Sequence, residues 1–255
     1  MININEFRDF VLFVMNKSGN GEQPSPDEFN SVVNQSLTEW LTKKIGNPAE
    51  YQPQRPIPPQ AIDITQRLID DLRELKVSRT FNIANNSEAI AGNRGRVILP
   101  DGTNLIQADG SPTPAYLYFL RLENEFTQSA SDPTDIDTRE VNMKTSNQIT
   151  KIRTSTIVPP TTKFPVGEFM DTYIQVYPTS IQTVILTYLR QPNVAKWDFT
   201  LVNNRPVYNS ATSIDIDIPY LNKMDFSMIY LKYQGIHLND TQLTSFANQM
   251  ETTGV

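Results

Sequence analysis

Residues 172–192, TYIQVYPTSIQTVILTYLRQP, are the most apolar strand-like segment of a chain that is otherwise polar and acidic. In the first half, Ile174 and Val176 alternate with polar and aromatic residues, which predicts a strand with one buried face. Pro178 and the residues after it predict a turn. Residues 184–189 carry apolar side chains on both faces of a strand, which predicts a central strand covered on both sides. Nothing in or beside the segment is typical of catalysis, so we interpret it as scaffold.

Composition limits the class of protein. The chain has 255 residues, enough for one large domain or two small ones with a sizeable core. Its formal net charge of −6 disfavours a protein that holds nucleic acid by its phosphates. The absence of cysteine excludes disulfides, thiolate nucleophiles and cysteine-ligated metals. The apolar run Phe10–Met15 follows Glu6 and Asp9 and is short, so we expect a soluble protein without a signal peptide or a membrane span.

Both ends of the chain carry helix patterns. The second pattern is the best marked, because Ser25 and Glu28 form a capping box around Pro26. The same periodicity predicts that Met224 and Met228 lie in the core. The predicted helices are residues 4–17 (capped by Asn3), about 26–45, about 60–76, a helix from Pro219 to Gly235, and a last helix capped by Asn239.

The middle of the chain has strand and turn patterns. Predicted strands are residues 97–99 in a hairpin with 105–106, 116–122, the two runs quoted above, 197–202 in a hairpin with Tyr208 around Asn203-Asn204, and 213–218. In the last of these, SIDIDI, the isoleucines are expected inside and Asp215 and Asp217 outside. Residues 127–137 are expected to form a polar, acidic loop, and residues 142–156 are ambiguous, with room for a short helix.

This order of elements predicts an α+β fold. The simplest assembly is a helical bundle built from both chain ends, residues 1–76 plus 219–255. Residues 77–218 would then be an inserted β-rich module with a sandwich-like arrangement.

The chemistry-bearing residues do not form a recognisable catalytic set. His237 is the only histidine, and no G-x-S-x-G turn accompanies it. Asp215 and Asp217 are interpreted as a solvated strand face. An acidic stretch, Asp132, Asp135 and Asp137, lacks the glycine and the bidentate glutamate of a calcium loop. The sequence therefore predicts no enzyme activity, no catalytic or metal-binding residue, and no cofactor.

One basic stretch remains a contact candidate. Gly92–Arg96, GNRGR, lacks the ending of a phosphate-cradling loop. A solvated turn is the simpler interpretation. The alternative is that Arg94 and Arg96 contact phosphate or an acidic partner.

Several stretches together resemble virion structural proteins of short-tailed, crAss-like phages. Residues 10–47 resemble the opening of such proteins, and residues 176–199 and 218–243 resemble the head–tail adaptor, or tail-tubular, family. The matching positions are Asn16, Lys17, Gly21, Pro26, Phe29 and Asn30, then Val176-Tyr177-Pro178, Tyr188 to Pro192, and Trp197. Residues 77–138 carry no such match.

The resemblance implies a structural protein of the virion neck or tail, assembled in the host cytoplasm. Such proteins form a homo-oligomeric, commonly dodecameric, ring that connects the portal to other neck and tail proteins. Double-stranded DNA would pass through without sequence-specific binding, and the acidic charge would keep it from adhering. The family has no catalytic motif to carry over and no membrane partner.

The proline-rich stretch 46–60 suits an arm that reaches a neighbouring subunit, with Tyr51, Arg55 and Ile57 as contact residues. The alternative function is a glycan- or receptor-binding β module of a tail appendage, in which Tyr116, Tyr118, Tyr173 and Tyr177 would stack on sugars.

Overall fold

The protein has a mixed α+β fold with several sheets. The computed structural model describes residues 1–15, 23–45, 70–83, 95–103, 105, 112–129, 132–237, 245 and 249. The chain divides into two compact units, the first made of residues 1–74 and 192–255 and the second of residues 75–191. Tyr51, Arg55, Ile57, Arg94 and most of the predicted helices at 60–76 and after Asn239 lie outside the described residues.

The helices are α1 (Ile4–Val14), α2 (Pro26–Ile45), α3 (Ser146–Arg153) and α4 (Lys223–His237), with short 3-10 turns at Arg73–Leu75 and Tyr220–Asn222. The strands are β1 (Lys76–Asn82), β2 (Arg96–Ile98), β3 (Tyr116–Ser129), β4 (Asp132–Glu140), β5 (Asn142–Met143), β6 (Val166–Phe169), β7 (Tyr173–Tyr177), β8 (Thr183–Arg190), β9 (Phe199–Val202) and β10 (Arg205–Tyr208).

Aromatic rings hold the first unit together. The ring centroid of Phe7 on α1 lies 5.1 Å from that of Phe226 and 5.5 Å from that of Tyr230, both on α4. Phe29 on α2 lies 5.6 Å from Tyr230. Each of these rings is fully buried. Contacts at this separation add to the free energy gained by removing the rings from water.

Polar side chains of α2 hold the segment that re-enters the first unit. Asn30 accepts a hydrogen bond from the backbone N–H of Trp197 at 2.7 Å and donates one to the carbonyl of the same residue at 3.1 Å. Asn34 pairs in the same way with Ala195. The two asparagine side chains thus satisfy the backbone N–H and carbonyl groups of residues 195 and 197, as a neighbouring strand would. Residues 192–218 therefore belong to the first unit, whereas the predicted division placed them in the β-rich module.

The second unit contains two four-stranded sheets, with strand orders β1-β8-β3-β4 and β2-β7-β6-β5. Side chains of both sheets meet in one hydrophobic core, among them Leu186 and Tyr188 of β8 and Ile174 and Val176 of β7. The hydroxyl of Tyr188 donates to the carbonyl of Pro114 at 2.8 Å, so this buried polar atom is satisfied.

Several local predictions are confirmed. β8 lies between β1 and β3, as expected of a central strand. The capping box of α2 is present, since Ser25 N–H donates to Glu28 and Glu28 N–H donates to Ser25 Oγ. Asn203 and Asn204 join β9 to β10 with φ of 52° and 59°, the left-handed pair that a two-residue hairpin turn requires.

β2 pairs with β7, and Val97 enters the core beside Ile174. The predicted hairpin of residues 97–99 with 105–106 lies partly outside the described residues and stays a prediction. Two other predictions are wrong. The predicted loop at 127–137 is instead a β3–β4 hairpin, whose backbone pairing needs no apolar alternation. In SIDIDI, Asp217 is buried rather than exposed, because its carboxylate accepts the backbone N–H of Asn193 at 2.7 Å.

The prediction that Met224, at the start of α4, lies in the core is also wrong. Met224 is exposed and Leu221 is almost fully exposed. The 3-10 turn before α4 has three residues per turn, so it shifts the apolar stripe relative to a continuous α-helix. The buried positions of α4 are instead Phe226, Ile229, Tyr230 and Leu231.

The ring cluster gives a stability prediction. Phe7→Ala is expected to lower the free energy of unfolding by about 3–5 kcal/mol, because it removes a fully buried ring and leaves a cavity. Phe13→Ala is the matched control on the same helix, where the ring is 73% exposed and the expected loss is within about 0.5 kcal/mol. Urea unfolding followed by tryptophan fluorescence measures both. Equal losses for the two variants would contradict the assignment of Phe7 to the core.

Candidate interaction surface

Arg96 is the predicted contact residue that the structure describes. It begins β2, and its guanidinium carbon lies 4.5 Å from the ring centroid of Tyr173 on β7. Its Nε donates to Oε1 of Gln175 at 3.2 Å. A guanidinium stacked on an aromatic face and hydrogen-bonded at one edge has little rotamer freedom left to lose. Arg96 is therefore held in position before any partner arrives.

Gly95 makes this arrangement possible. Its φ is +78°, and a Cβ at this position would lie 2.7 Å from the carbonyl oxygen of Val176. Only glycine allows both this backbone conformation and this approach. The carbonyl of Gly95 accepts a hydrogen bond from Gln175 Nε2 at 3.2 Å. Arg96 is therefore the first residue of β2, and Gly95 is buried in the turn before it, so neither is a solvated turn residue.

A second arginine repeats the arrangement on the same strand. Arg153 ends α3, and its guanidinium carbon lies 4.5 Å from the ring centroid of Tyr177. Its Nη1 donates to the Tyr177 hydroxyl at 3.3 Å, and that hydroxyl donates to Oε1 of Glu168 at 3.3 Å. Burial raises the pKa of the Tyr177 phenol above its usual range, with the neighbouring Arg153 acting in the opposite direction.

The two arginines share one face of the sheet β2-β7-β6-β5. Since Ile174 and Val176 point into the core, the alternation of β7 places Tyr173, Gln175 and Tyr177 on the opposite face. Arg96, Arg153, Tyr173 and Tyr177 are called the arginine–tyrosine face below. Within the described part of the chain, neither guanidinium has an ion pair with a carboxylate. The face carries two held guanidinium groups, and the carboxylate of Glu168 accepts the Tyr177 hydroxyl beside them.

The four tyrosines proposed for sugar stacking do not form one open platform. Tyr173 and Tyr177 each have a guanidinium over the ring. Tyr116 packs on the buried Tyr188, with 5.9 Å between ring centroids, and burial raises its pKa. Tyr118 is the one member of the four that is classed as exposed. Stacking on sugars needs open ring faces. The covered rings therefore weaken the case for the glycan- or receptor-binding alternative.

An anchored loop between α3 and β6 carries exposed apolar side chains. Ile157, Val158 and Phe164 are 88%, 67% and 76% exposed. The loop is nevertheless held, because Ser155 Oγ accepts the N–H groups of residues 157 and 158. The carbonyl of Thr162 accepts a hydrogen bond from the buried Asn124 at 2.7 Å. Exposed apolar groups on a fixed backbone are typical of protein–protein contacts.

The first unit also exposes apolar side chains. They lie on the β9–β10 hairpin and at the entry to α4, and they are Leu201, Val202, Val207, Tyr220, Leu221 and Met224.

A cleft of about 290 Å³ lies in the second unit, beside the anchored loop. Its lining includes Asn124, Glu125, Phe126 and Ile136 of the β3–β4 hairpin together with Thr162 and residues 180–183. The described residues of the lining mix polar and apolar groups and include no histidine or arginine. The cleft has the size of a small ligand site.

Two of the acidic residues considered from the sequence, Asp215 and Asp217, have structural partners. Asp215 Oδ1 accepts the N–H of Ile4 at 3.0 Å, at the start of α1. Asp217 holds Asn193 as described above. Asp132, Asp135 and Asp137 lie on β4, and His237 is the last residue of α4. Among the residues that the structure describes, no three His, Asp or Glu side chains come together in a way that could hold a metal ion.

Sequence reasoning missed Arg153, Glu168 and Tyr177 as a connected group. Arg153 and Tyr177 are separated by 24 residues, and their contact depends on how α3 packs on β6. The sequence offers one signal for this group. A short helix within the ambiguous residues 142–156 would end at the basic residue Arg153.

Comparison with known proteins identifies no relative, since neither a protein-family model nor a curated protein matches this sequence. The helices among the described residues include none with the length and apolarity needed to cross a membrane.

The bridging hydroxyl gives a prediction for this surface. Tyr177→Phe keeps the stacked ring but removes the donor to Glu168, which is only 6% exposed. We expect a loss of about 1–2 kcal/mol in the free energy of unfolding, the usual cost when a buried acceptor loses its partner. Tyr173→Phe is the control, because within the described residues its contact with Arg96 involves the ring rather than the hydroxyl. Thermal unfolding of both variants measures the difference, and equal melting temperatures would refute the bridge.

Proposed function

We propose that this chain is a structural subunit of a phage virion, which assembles into a closed homo-oligomeric ring in the neck or tail. The ring connects the portal to other neck and tail proteins and surrounds the DNA conduit. In this role the chain carries out no catalysis and needs no cofactor. The proposal extends the resemblance to head–tail adaptor proteins with the surface features described above.

The observation that carries the proposal is the anchored loop with Ile157, Val158 and Phe164 in solvent. A loop already held by hydrogen bonds loses little conformational entropy when it docks. Burying its apolar side chains in a partner then gains free energy at about 25 cal/mol per Å². A monomer leaves these apolar groups in water and gains no free energy from them. A subunit of an assembly gains free energy when a neighbour buries them.

The proposed architecture is a helical module from both chain ends with an inserted, sandwich-like module. Support for the first part comes from the ring contacts of Phe7 with Phe226 and Tyr230, which join the start and the end of the chain. Support for the second comes from the core shared by the two four-stranded sheets. Ring subunits need two different surfaces, one for each neighbour, and two modules provide room for both.

The charge of the chain fits a conduit. Each subunit carries a formal net charge of −6, so a ring of many copies has a strongly negative field. Such a field repels the DNA backbone and lets the duplex slide without binding. A receptor-binding appendage has no comparable need for this charge, and its proposed sugar-stacking tyrosines are largely covered.

The mass of the particle in solution tests the proposal. Alone or with portal protein, the chain is expected to sediment as a ring of many copies. Ile157→Ser combined with Val158→Ser is expected to weaken assembly at least about tenfold, since it makes two exposed apolar contact groups polar. The melting temperature should stay unchanged. The comparison variant Ile149→Ser, at a buried site of α3, should instead lower the melting temperature.

Two results would count against this function. A wild-type chain that remains monomeric at every concentration, both alone and with portal protein, would exclude a ring. Specific binding of a glycan by that monomer would favour the receptor-binding alternative.

The proline-rich arm at residues 46–60 remains part of the proposal. Replacing Tyr51, Arg55 and Ile57 together with serine keeps the prolines but removes the expected contact groups. If the arm joins neighbouring subunits, the ring falls to monomers while the helical circular dichroism signal and the melting temperature are retained. A ring of unchanged mass would show that the arm only spaces elements within one subunit.

A further inference from the structure

The cleft in the second unit lies where the sheet β1-β8-β3-β4 changes from three neighbouring strands to two. β8 begins at Thr183, opposite Glu125, so β3 continues past this point beside the turn that joins β7 to β8. The described lining comes from β3, β4, that turn and the anchored loop, and it consists of Asn124, Glu125, Phe126, Ile136, Thr162 and residues 180–183. A ligand in the cleft would therefore touch four separate parts of the unit.

Hydrogen bonds hold the walls of the cleft in place. The buried Asn124 donates from Nδ2 to the carbonyl of Thr162 at 2.7 Å, which joins β3 to the anchored loop. On the other wall, the carbonyl of Gln182 accepts the N–H of Ile83 at 2.7 Å. The neighbouring Ile181 is only 2% exposed. Such a preformed site loses little conformational entropy when a ligand binds.

Four polar side chains of the lining keep their hydrogen-bonding capacity. Within the part of the chain that the structure describes, none of these side chains takes part in a hydrogen bond or an ion pair. They are Glu125, Ser180, Gln182 and Thr183. Together they provide a carboxylate, an amide and two hydroxyl groups. A ligand in the cleft thus meets both donors and acceptors.

One aromatic ring lies among these polar groups. Phe126 is partly buried, and among the described residues no other ring and no cation stacks on it. Ile136 and Ile181 add further apolar lining. A sugar ring has the matching character, because its hydroxyl groups form hydrogen bonds at its edge while its C–H groups pack on apolar and aromatic faces.

Other classes of ligand fit this lining less well. An anion finds no basic residue among the described lining, and Glu125 would repel it. A metal ion would need several oxygen ligands at one point, and no three Asp, Glu or His side chains of the described residues come together. An entirely apolar ligand would leave the polar side chains without partners. A neutral ligand rich in hydroxyl groups avoids all three costs.

We propose that this cleft binds a saccharide of one or two rings. The volume of about 290 Å³ is at the small end of ligand sites. Hydroxyl groups of the sugar bind Glu125 and Gln182, and one C–H face packs on Phe126. The four tyrosines considered above for sugar stacking are not among the described lining residues. The inference goes beyond the proposed ring and does not depend on it.

The site is expected to bind sugar without cleaving it. Hydrolysis of a glycoside generally uses two carboxyl groups, one as the acid and one as the base or nucleophile. Among the described lining residues, Glu125 is the single carboxylate.

Saturation-transfer difference NMR on the full chain tests the cleft. The probes are glucose, galactose, mannose, rhamnose, N-acetylglucosamine, N-acetylgalactosamine, lactose, maltose, cellobiose and chitobiose. At least one probe is expected to bind with a Kd of about 1 mM, the range that so small a ligand reaches. The bound sugar should be recovered unchanged after prolonged incubation.

Two substitutions in the lining locate the binding. Glu125→Ala removes the carboxylate and Phe126→Ala removes the ring, so each should weaken sugar binding at least about tenfold. The matched controls lie outside the described lining. They are Glu123→Ala on the same strand, where the carboxylate pairs with Arg121 at 3.2 Å, and Phe169→Ala, where the ring is 45% exposed. Both controls should bind within about twofold of the wild type.

The outcomes distinguish this inference from the ring function. The absence of saturation transfer to every probe overturns the sugar site and leaves the ring standing. Binding that survives both lining substitutions shows that the sugar binds elsewhere, which also overturns the site. A sugar bound through the cleft by a chain that stays monomeric, alone and with portal protein, supports the site and overturns the ring. If a lining variant fails to melt cooperatively, Gln182→Ala replaces it, since this side chain is exposed on the turn.

Discussion

The second unit depends on the burial of β8 on both of its faces. Val184, Leu186 and Tyr188 are fully removed from water on the core side, and Thr187 and Leu189 are buried on the other. Burial of each large apolar side chain is worth about 1.5–3 kcal/mol, so both faces of the strand must stay covered. Its two edges are paired with β1 and β3. Because β8 begins at Thr183, the partner of Glu125, β3 continues past Glu125 without β8 as a neighbour.

Elements with a local signal could be predicted from the sequence. The capping box at Ser25, the two asparagines at the β9–β10 turn and the apolar run of β8 each depend on residues close together in the chain. Elements defined by distant partners could not. β2 joins β7 across about 75 residues, and the burial of Asp217 depends on a backbone donor at Asn193. The polar β3–β4 hairpin has no apolar alternation in its sequence to reveal it.

Only the local part of the interaction surface could be predicted from the sequence. Arg96 is a predicted contact residue because it lies in a short stretch with two glycines and two arginines. Its stacking on Tyr173 and the matching pair of Arg153 with Tyr177 could not be foreseen, because periodicity places residues on a face but does not say which faces meet. The requirement for glycine at position 95 is clear only once Val176 is known to lie beside it.

The two kinds of surface on the second unit would contribute differently to an assembly. The anchored loop offers apolar area, which raises affinity with any complementary partner but has no preferred direction. The arginine–tyrosine face carries two ordered guanidinium groups, which would give little net affinity after desolvation but would disfavour a partner surface of the same charge. A ring closes only if every subunit meets its neighbour in the same direction. An apolar contact alone would also allow face-to-face dimers, whereas two arginines on one face would repel each other in such a dimer. In the proposed assembly, the charges of this face would thus supply the selectivity that the apolar loop lacks.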